Sequence, residues 1–171
     1  MINILKAEIK DAKILSKIGK KAFLVPHGKA GSKADIGNYV KQNFSEENLS
    51  KELSNPQFEY FLIYYDDKIA GFSKVIFNAV NDNIDDKNVT KMERLYLLEE
   101  FYGLNLGAAL LDFNIKIAKE NNQTGIWLNV WVENQRAISF YKKMGFVKVG
   151  EFNFVVSPTR SNPNYVLFLE F

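Results

Sequence analysis

The stretch Leu95 to Leu111, LYLLEEFYGLNLGAALL, limits the fold more than any other part of the chain. An apolar strand runs into a short turn holding Gly103 and Gly107, and an apolar-periodic helix follows at once. A helix that starts there leaves its first backbone N–H groups without intrahelical partners and presents the positive end of its dipole. Such a corner binds phosphate without a charged side chain, so a phosphorylated cofactor is expected. A nicotinamide-dinucleotide fingerprint needs Gly-x-Gly-x-x-Gly directly after the strand. Here Glu99-Glu100-Phe101 intervene and only Gly103 and Gly107 are present, although Glu133 ends the following strand where a ribose-binding acid could stand. A nucleoside-triphosphate loop is excluded, because no Gly-Lys-Ser/Thr occurs.

The rest of the chain alternates short elements. Ile2 to Lys6 reads as a strand, and Asp11 as the cap of a helix whose apolar face is Ala12, Leu15, Ile18 and Ala22, with Pro26-His27-Gly28 ending that region. Asp35 to Phe44 and Ser45 to Leu53 read as two short helices, the second capped by Ser45 with Glu46 and Glu47 in its first turn. Phe58 to Tyr65 and Lys68 to Phe77 form a hairpin across Asp66-Asp67. Val89 to Leu98 is a strand, and Gly107 to Asn121 is a helix with Leu106, Ala109, Leu110, Phe113 and Ile117 along one face. Ile126 to Val132 alternates strictly, with Trp127, Asn129 and Trp131 opposite the aliphatic set. Asn134 caps a helix to Met144, closed by Gly145 and Phe146. Phe146 to Val156 and Tyr165 to Phe171 are the last strands, and Gly28 to Lys33, Asn81 to Asn88 and Ser157 to Asn164 are polar loops. A strand–helix–strand crossover mixed with hairpins predicts an α+β (mixed α/β) fold with a largely antiparallel sheet.

Composition removes several classes of function. The 22 basic and 20 acidic residues nearly cancel, which argues against nucleic acid or an anionic membrane as partner. With no cysteine, disulfides, thiolate catalysis and cysteine-bound zinc are excluded, and the one histidine, His27, excludes a His-rich metal site. Met1 to Lys10 lacks the apolar centre of a signal peptide, and runs such as Tyr60 to Tyr65 are too short to span a bilayer, so a cytoplasmic location is expected. One domain over residues 1–171 is expected from length and the absence of a linker or repeat.

Three runs in fixed order carry a resemblance: Glu93-Arg94-Leu95-Tyr96-Leu97-Leu98-Glu99-Glu100-Phe101, then Tyr102-Gly103-Leu104-Asn105-Leu106-Gly107, then Asn134 to Phe146, NQRAISFYKKMGF. Together they resemble the GNAT superfamily of acetyl-coenzyme A dependent N-acetyltransferases. In that family the turn reads Gln/Arg-x-x-Gly-x-Gly/Ala. Tyr102 stands here for the Gln/Arg and Asn105 for the first motif glycine, with Gly107 matching the second. Asparagine is the side chain that best tolerates positive φ, so the turn is expected to survive.

The resemblance implies a seven-stranded, mostly antiparallel sheet flanked by about four helices, with a splayed parallel strand pair at the cofactor site. It implies that backbone groups of Leu97 and Leu98 bond the pantetheine arm of acetyl-CoA. It also implies that N–H groups from Gly103 through Leu104, Asn105, Leu106 and Gly107 to Ala108 hold the pyrophosphate, beside Tyr102, with Asn134 and Ala137 adding contacts from the second helix. Tyr141 corresponds to the family's tyrosine near the thioester sulfur. A phenol protonated at neutral pH can reprotonate a departing thiolate, and a backbone N–H near Leu97 can polarise the carbonyl. Glu93 is the candidate base, roughly 13 Å along the strand from Leu97 at about 3.3 Å per residue, so a water relay is expected. No metal is expected.

Within the superfamily the chain most resembles the bacterial PaiA-type spermidine/spermine N-acetyltransferases, through Asn48 to Ser54, Ile69 to Val75 and Ile126 to Trp131. That implies a small amine acceptor, a polyamine, possible homodimerisation, and acidic lining with Glu59, Glu93, Glu133, Asp82, Asp85 and Asp86 as candidates. The competing functions are acetylation of a protein N-terminus or a lysine, and a non-catalytic acetyl-CoA binding regulator. Taken without the family, Tyr141 reads as a half-buried helix tyrosine, Glu93 as a solvated strand residue or a partner of Arg94, Asn134 as a cap, and His27 as a surface residue. Trp127 and Trp131 then read as core packing.

Overall fold

The computed structural model describes residues 1–171. Seven strands, β1 (Ile2–Lys6), β2 (Glu59–Tyr65), β3 (Lys68–Ile76), β4 (Val89–Leu97), β5 (Gly125–Trp131), β6 (Val147–Ser157) and β7 (Arg160–Glu170), form one sheet in the order β1-β2-β3-β4-β5-β7-β6. The helices are α1 (Ala12–His27), α2 (Lys33–Asn43), α3 (Glu46–Leu53), α4 (Leu106–Glu120) and α5 (Gln135–Lys143), one more than the resemblance implied. The pairs β1–β2, β2–β3, β5–β7 and β6–β7 are antiparallel, and β4–β5 is parallel. The chain divides into two compact units. The first comprises Met1–Val75 and Arg94–Leu111, the second Ile76–Glu93 and Asp112–Phe171.

In the first unit the hairpin turn forms where two small polar residues accept left-handed backbone, Asp66 at φ 46° and Asp67 at φ 61°. The α1 stripe Ala12, Leu15, Ile18 and Ala22 is buried as the periodicity requires, with Phe23 joining it. Burial of each large apolar side chain here contributes about 1.5–3 kcal/mol. Asp11 precedes α1 without capping it; its carboxylate accepts from the Glu8 N–H at 2.8 Å and closes the short 3-10 turn Ile9–Asp11 instead. The helix carries Pro26 in its last turn and ends at His27. Ser32 and Ser45 cap α2 and α3 by accepting from Asp35 N at 3.1 Å and Asn48 N at 3.2 Å.

A charged network lies inside this unit. Glu52 receives Lys74 Nζ at 2.9 Å, the Arg94 guanidinium at 3.6 Å and the Tyr60 hydroxyl, while Arg94 donates to that hydroxyl oxygen at 2.8 Å. Lys74 and Arg94 are buried. Burial works against the Glu52 charge, but Arg94, the Tyr60 hydroxyl and Lys74 outweigh it and hold the carboxyl below its ordinary range.

The hidden stripe of α4, which belongs to the first unit up to Leu111 and to the second from Asp112, comes out rotated from the expected one. Leu110, Leu111, Asn114 and Ala118 are buried, while Ala109, Phe113 and Ile117 are only partly so. Asn114 occupies a core position because its amide reaches Met92 Sδ at 3.6 Å; a polar letter hid that face from a hydrophobic count. On β5 Ile126, Leu128 and Val130 are buried. Trp127, on the opposite face, packs with Val89 and Val166 and donates through Nε1 to the Ala79 carbonyl at 2.6 Å. The expected loop Ser157 to Asn164 is mostly strand: β6 runs to Ser157 and β7 begins at Arg160, leaving Pro158-Thr159 as the turn. Partners on β6 pair the polar residues Ser161, Asn162 and Asn164, so ladder bonds override their loop preference.

Candidate active site

The expected site residues divide between the two units. The first unit holds the strand end and the turn. Tyr102 is extended at φ −68°, ψ 150° and follows a short 3-10 turn, Glu99–Phe101, itself anchored by Lys21 Nζ on Glu100 at 2.7 Å. Gly103 then adopts φ +82° and Asn105 φ +58°. Asparagine therefore supports the left-handed residue that the family motif gives to glycine. A Cβ placed on Gly103 would meet no heavy atom within 4 Å, so the turn opens outward rather than against the protein. The first recorded backbone bond of α4 is Ala109 N–H to the Asn105 carbonyl, 3.1 Å. The N–H groups ahead of it, through Gly107 and Ala108, are the helix-start donors that have no carbonyl to reach. Leu106 is buried and anchors the helix start, while Leu104 is exposed on the turn. Open backbone donors and a dipole end fit a diphosphate.

At the strand end the Leu98 backbone already has partners. The Leu98 N–H is committed to the Ala70 carbonyl at 2.8 Å, and the Leu98 carbonyl receives the Phe101 N–H at 3.0 Å. Leu98 thus shapes the turn, and the backbone groups of Leu97 alternate to the other edge of the strand. Gly71 lies beneath this point. A Cβ there would sit 2.2 Å from the Tyr96 carbonyl oxygen and 2.9 Å from Leu97 Cα.

His27 also belongs to this unit and is not the surface residue the sequence suggested. Its ring stacks on Phe23 at 4.7 Å and meets Tyr96 edge-on at 6.2 Å, with Phe23 stacked in turn on Tyr39 at 5.0 Å. Burial among these rings pushes the imidazole down to about 4, so it is neutral at pH 7.

The second unit holds the remaining candidates. Asn134 accepts from Ala137 N at 3.2 Å, the cap the sequence predicted. At the other end Gly145 takes φ +91°, Gly145 N donates to Lys142 O at 3.1 Å and Phe146 N to Tyr141 O at 3.0 Å. This double closure fixes the turn of α5 on which Tyr141 sits. The Tyr141 ring is 8% exposed, between Phe140 at 5.1 Å and Phe146 at 5.3 Å. Burial raises its phenol well above the ordinary value, so it holds its proton through the physiological range.

Glu93 ends the β4 part of this unit, with Lys91 Nζ at 3.4 Å; Arg94 turns away to Tyr60 and Glu52. Lys91 also lies over the Trp127 ring at 5.3 Å. The parallel ladder between β4 and β5 holds three pairs, Val89–Gly125, Thr90–Ile126 and Lys91–Trp127, and ends there. Two residues further along β5 stands Asn129, which the site reading from sequence passed over. Its Oδ1 is wholly buried and has no hydrogen-bond partner. Leaving such a group unsatisfied costs about 1–3 kcal/mol. Its alternation with the two tryptophans was visible in sequence, but polar-outward alternation is the signature of any half-exposed strand.

Two further acidic candidates, Glu59 and Asp86, are drawn to local partners. Glu59 holds Lys6 at 2.6 Å in the first unit. In the second, Asp86 accepts from Asn88 N and Thr124 Oγ1, each at 2.8 Å. No group of three or more His, Cys, Asp or Glu side chains is placed to hold a metal ion, and no helix is long and apolar enough to cross a membrane.

The chain is similar to several known N-acetyltransferases. An uncharacterised N-acetyltransferase of Lactobacillus delbrueckii subsp. lactis is 28% identical over 160 residues, covering 93% of this chain and 92% of that one. One from Mycobacterium tuberculosis is also 28% identical over 160 residues, covering 94% and 97%. Among solved structures, the PaiA N-acetyltransferase of Thermoplasma acidophilum in complex with coenzyme A superposes with a TM-score of 0.79 at 22% identity, covering 100% of this chain and 99% of that one. The ribosomal-protein-S18-alanine N-acetyltransferase of Escherichia coli gives 0.71 at 18%, covering 99% and 94%. Residues 32–146 match the Acetyltransferase (GNAT) family. With the turn, the strand end and the closed tyrosine helix all inside that span, the chain belongs to the GNAT family of N-acetyltransferases.

Proposed function

We propose that this N-acetyltransferase moves the acetyl group of acetyl-CoA to a primary amine of a polyamine, spermidine or spermine, by direct attack while both substrates are bound. With no cysteine in the chain, an acetyl-thioenzyme is excluded. The observation that carries the reading is the opening of α4, where Gly103 and Asn105 turn left-handed ahead of the unpartnered helix-start N–H groups. The donors from Gly103 to Ala108 hold the diphosphate of the co-substrate, with Tyr102 alongside. Leu97 bonds the pantetheine arm and polarises the thioester carbonyl. Asn134 and Ala137 contact the co-substrate from the start of α5.

The reaction needs a neutral amine and a protonated leaving thiol. Glu93, directly or through water, takes the ammonium proton. The amine lone pair forms the C–N bond and the C–S bond breaks. The Tyr141 phenol gives its proton to the thiolate, and the proton lost from the acetylated nitrogen restores the balance. The raised phenol stays protonated, so ionisation of Tyr141 places no alkaline limb on turnover below about pH 10. The polyamine acceptor is supported by the PaiA-like runs Asn48 to Ser54, Ile69 to Val75 and Ile126 to Trp131.

The test is thiol release from acetyl-CoA with spermidine, spermine, an α-blocked lysine and short peptides with free N-termini. Spermidine or spermine gives the highest kcat/KM; preference for a peptide or lysine reassigns the acceptor, and no release with any of them returns the protein to a binding role. Tyr141→Phe lowers kcat by about 100-fold or more while the thermal stabilisation by CoA alone persists. Unchanged kcat removes Tyr141 from the reaction.

A further inference from the structure

We propose that Asn129 is a binding residue for the acceptor, its Oδ1 accepting a hydrogen bond from the reacting primary amine with Glu93 as its companion acceptor. This rests on the reading that the acceptor is an amine. Three observations, all within the second unit, lead to it.

The first is the unpartnered, wholly buried Oδ1. Buried amide oxygens in folded proteins are nearly always satisfied, so an exception on a strand, far from any chain end, marks a place where a donor is brought from outside. The second is register. The parallel pairs of β4 and β5 differ by a constant offset, Val89 with Gly125 and Lys91 with Trp127, which would set Glu93 opposite Asn129. The ladder stops just before that pair, and alternation keeps both side chains on the face that carries Trp127. On its other edge Asn129 pairs with Val166 of β7, an apolar residue with no side-chain donor to offer. The third is charge. The near cation, Lys91, is engaged with Glu93 at 3.4 Å and with the Trp127 ring at 5.3 Å.

A carboxylate and a carboxamide oxygen on one face of neighbouring strands select a ligand with at least two N–H donors on one atom. A primary amine has them in both protonation states. As the ammonium it can donate to both groups. When the third proton, the one donated to neither group, leaves through water to Glu93, the neutral amine keeps two N–H bonds and its lone pair points away from both groups, which is the orientation attack requires. A carbonyl or carboxylate ligand would face two oxygens and be repelled.

The test compares the intact protein with Asn129→Leu, which keeps the volume and removes the acceptor, and with Asn129→Asp, which keeps an oxygen. Steady-state kinetics are taken with acetyl-CoA and with spermidine or n-butylamine, alongside thermal melts. Asn129→Leu should raise KM for either amine by about 30-fold or more, hold KM for acetyl-CoA within about twofold, and melt no lower than the parent, since an unsatisfied group has been removed. Asn129→Asp should stay within about fivefold of the parent in amine KM. Should the Leu variant not fold, Asn129→Ala replaces it with the same kinetic expectation. An active parent whose Leu variant keeps its amine KM within about threefold overturns the role of Asn129 and leaves the acetyltransferase reading standing. A parent that acetylates neither amine overturns the amine-acceptor reading itself, and the inference with it.

Discussion

The Glu52 network of the first unit and the Asn129 position of the second are both buried polar sites, and they are built in opposite ways. Around Glu52 every charge is answered: Lys74 at 2.9 Å, Arg94 at 3.6 Å, the Tyr60 hydroxyl between them. Around Asn129 one oxygen is left with nothing. The first arrangement is complete without any ligand and so describes structure. The second is incomplete as folded, and polar groups that folding leaves unanswered are where chemistry from outside has something to answer. Perturbed titration does not separate the two. Glu52, His27 and Tyr141 all titrate away from their ordinary values, and only Tyr141 is given a chemical role.

The largest test of this contrast is to make the complete site incomplete. Glu52→Gln leaves Lys74 and Arg94 buried without their carboxylate and should cost about 3–5 kcal/mol by denaturant titration. A loss under 1 kcal/mol would mean that the network relaxes by taking up water. A second test uses pH. His27 is held neutral at about 4 when folded and returns to its ordinary 6.5 when unfolded, so its folded-state value is depressed. Its contribution is present above pH 6.5 and is lost as pH falls through 4, amounting to roughly 3 kcal/mol at the acid end. Stability curves of His27→Phe should lack the slope between pH 6.5 and 4. The Glu52 carboxyl, also depressed, should still add its own loss below about pH 4.5 in that variant. A slope identical to the parent's would place the acid sensitivity elsewhere. The smallest effect belongs to Asn134, whose side chain already has a structural use. Asn134→Ala removes the α5 cap and should cost about 1 kcal/mol. A drop in CoA affinity beyond that produced by Asn134→Ser, which still caps, would identify a ligand contact in addition to the cap.

The elements most readable from sequence were those in which a local motif decides the backbone. The Asp66-Asp67 turn and the Gly145-Phe146 closure each need only a few residues, and both formed as read. The turn before α4 belongs with them, because the tolerance of asparagine for positive φ is a property of the residue itself. The misreadings share a different cause: each depended on a distant partner. Asn114 is in the core because Met92 is there to meet it, His27 is half-buried because Phe23 and Tyr96 pack against it, and Ser161 to Asn164 are strand because β6 pairs with them. Asp11 bonded backward to Glu8 rather than forward into α1, a choice between two near neighbours that its letter alone could not decide. For the candidate site the same division holds. The turn before α4 is written in glycine and asparagine, whereas Asn129 stands out only once it is known that no neighbour answers it.

One earlier detail reaches further than its size. The neighbouring strand lies so near Gly71 that a methyl group on it would overlap the Tyr96 oxygen. The last residues of β4 therefore rest on bare main chain, with no adjustable side chain underneath. Position 71 therefore admits no side chain unless the end of β4, the strand that the proposed reading sets against the acyl donor, moves with it. A substitution there would have to be matched by a shift of Tyr96 and Leu97.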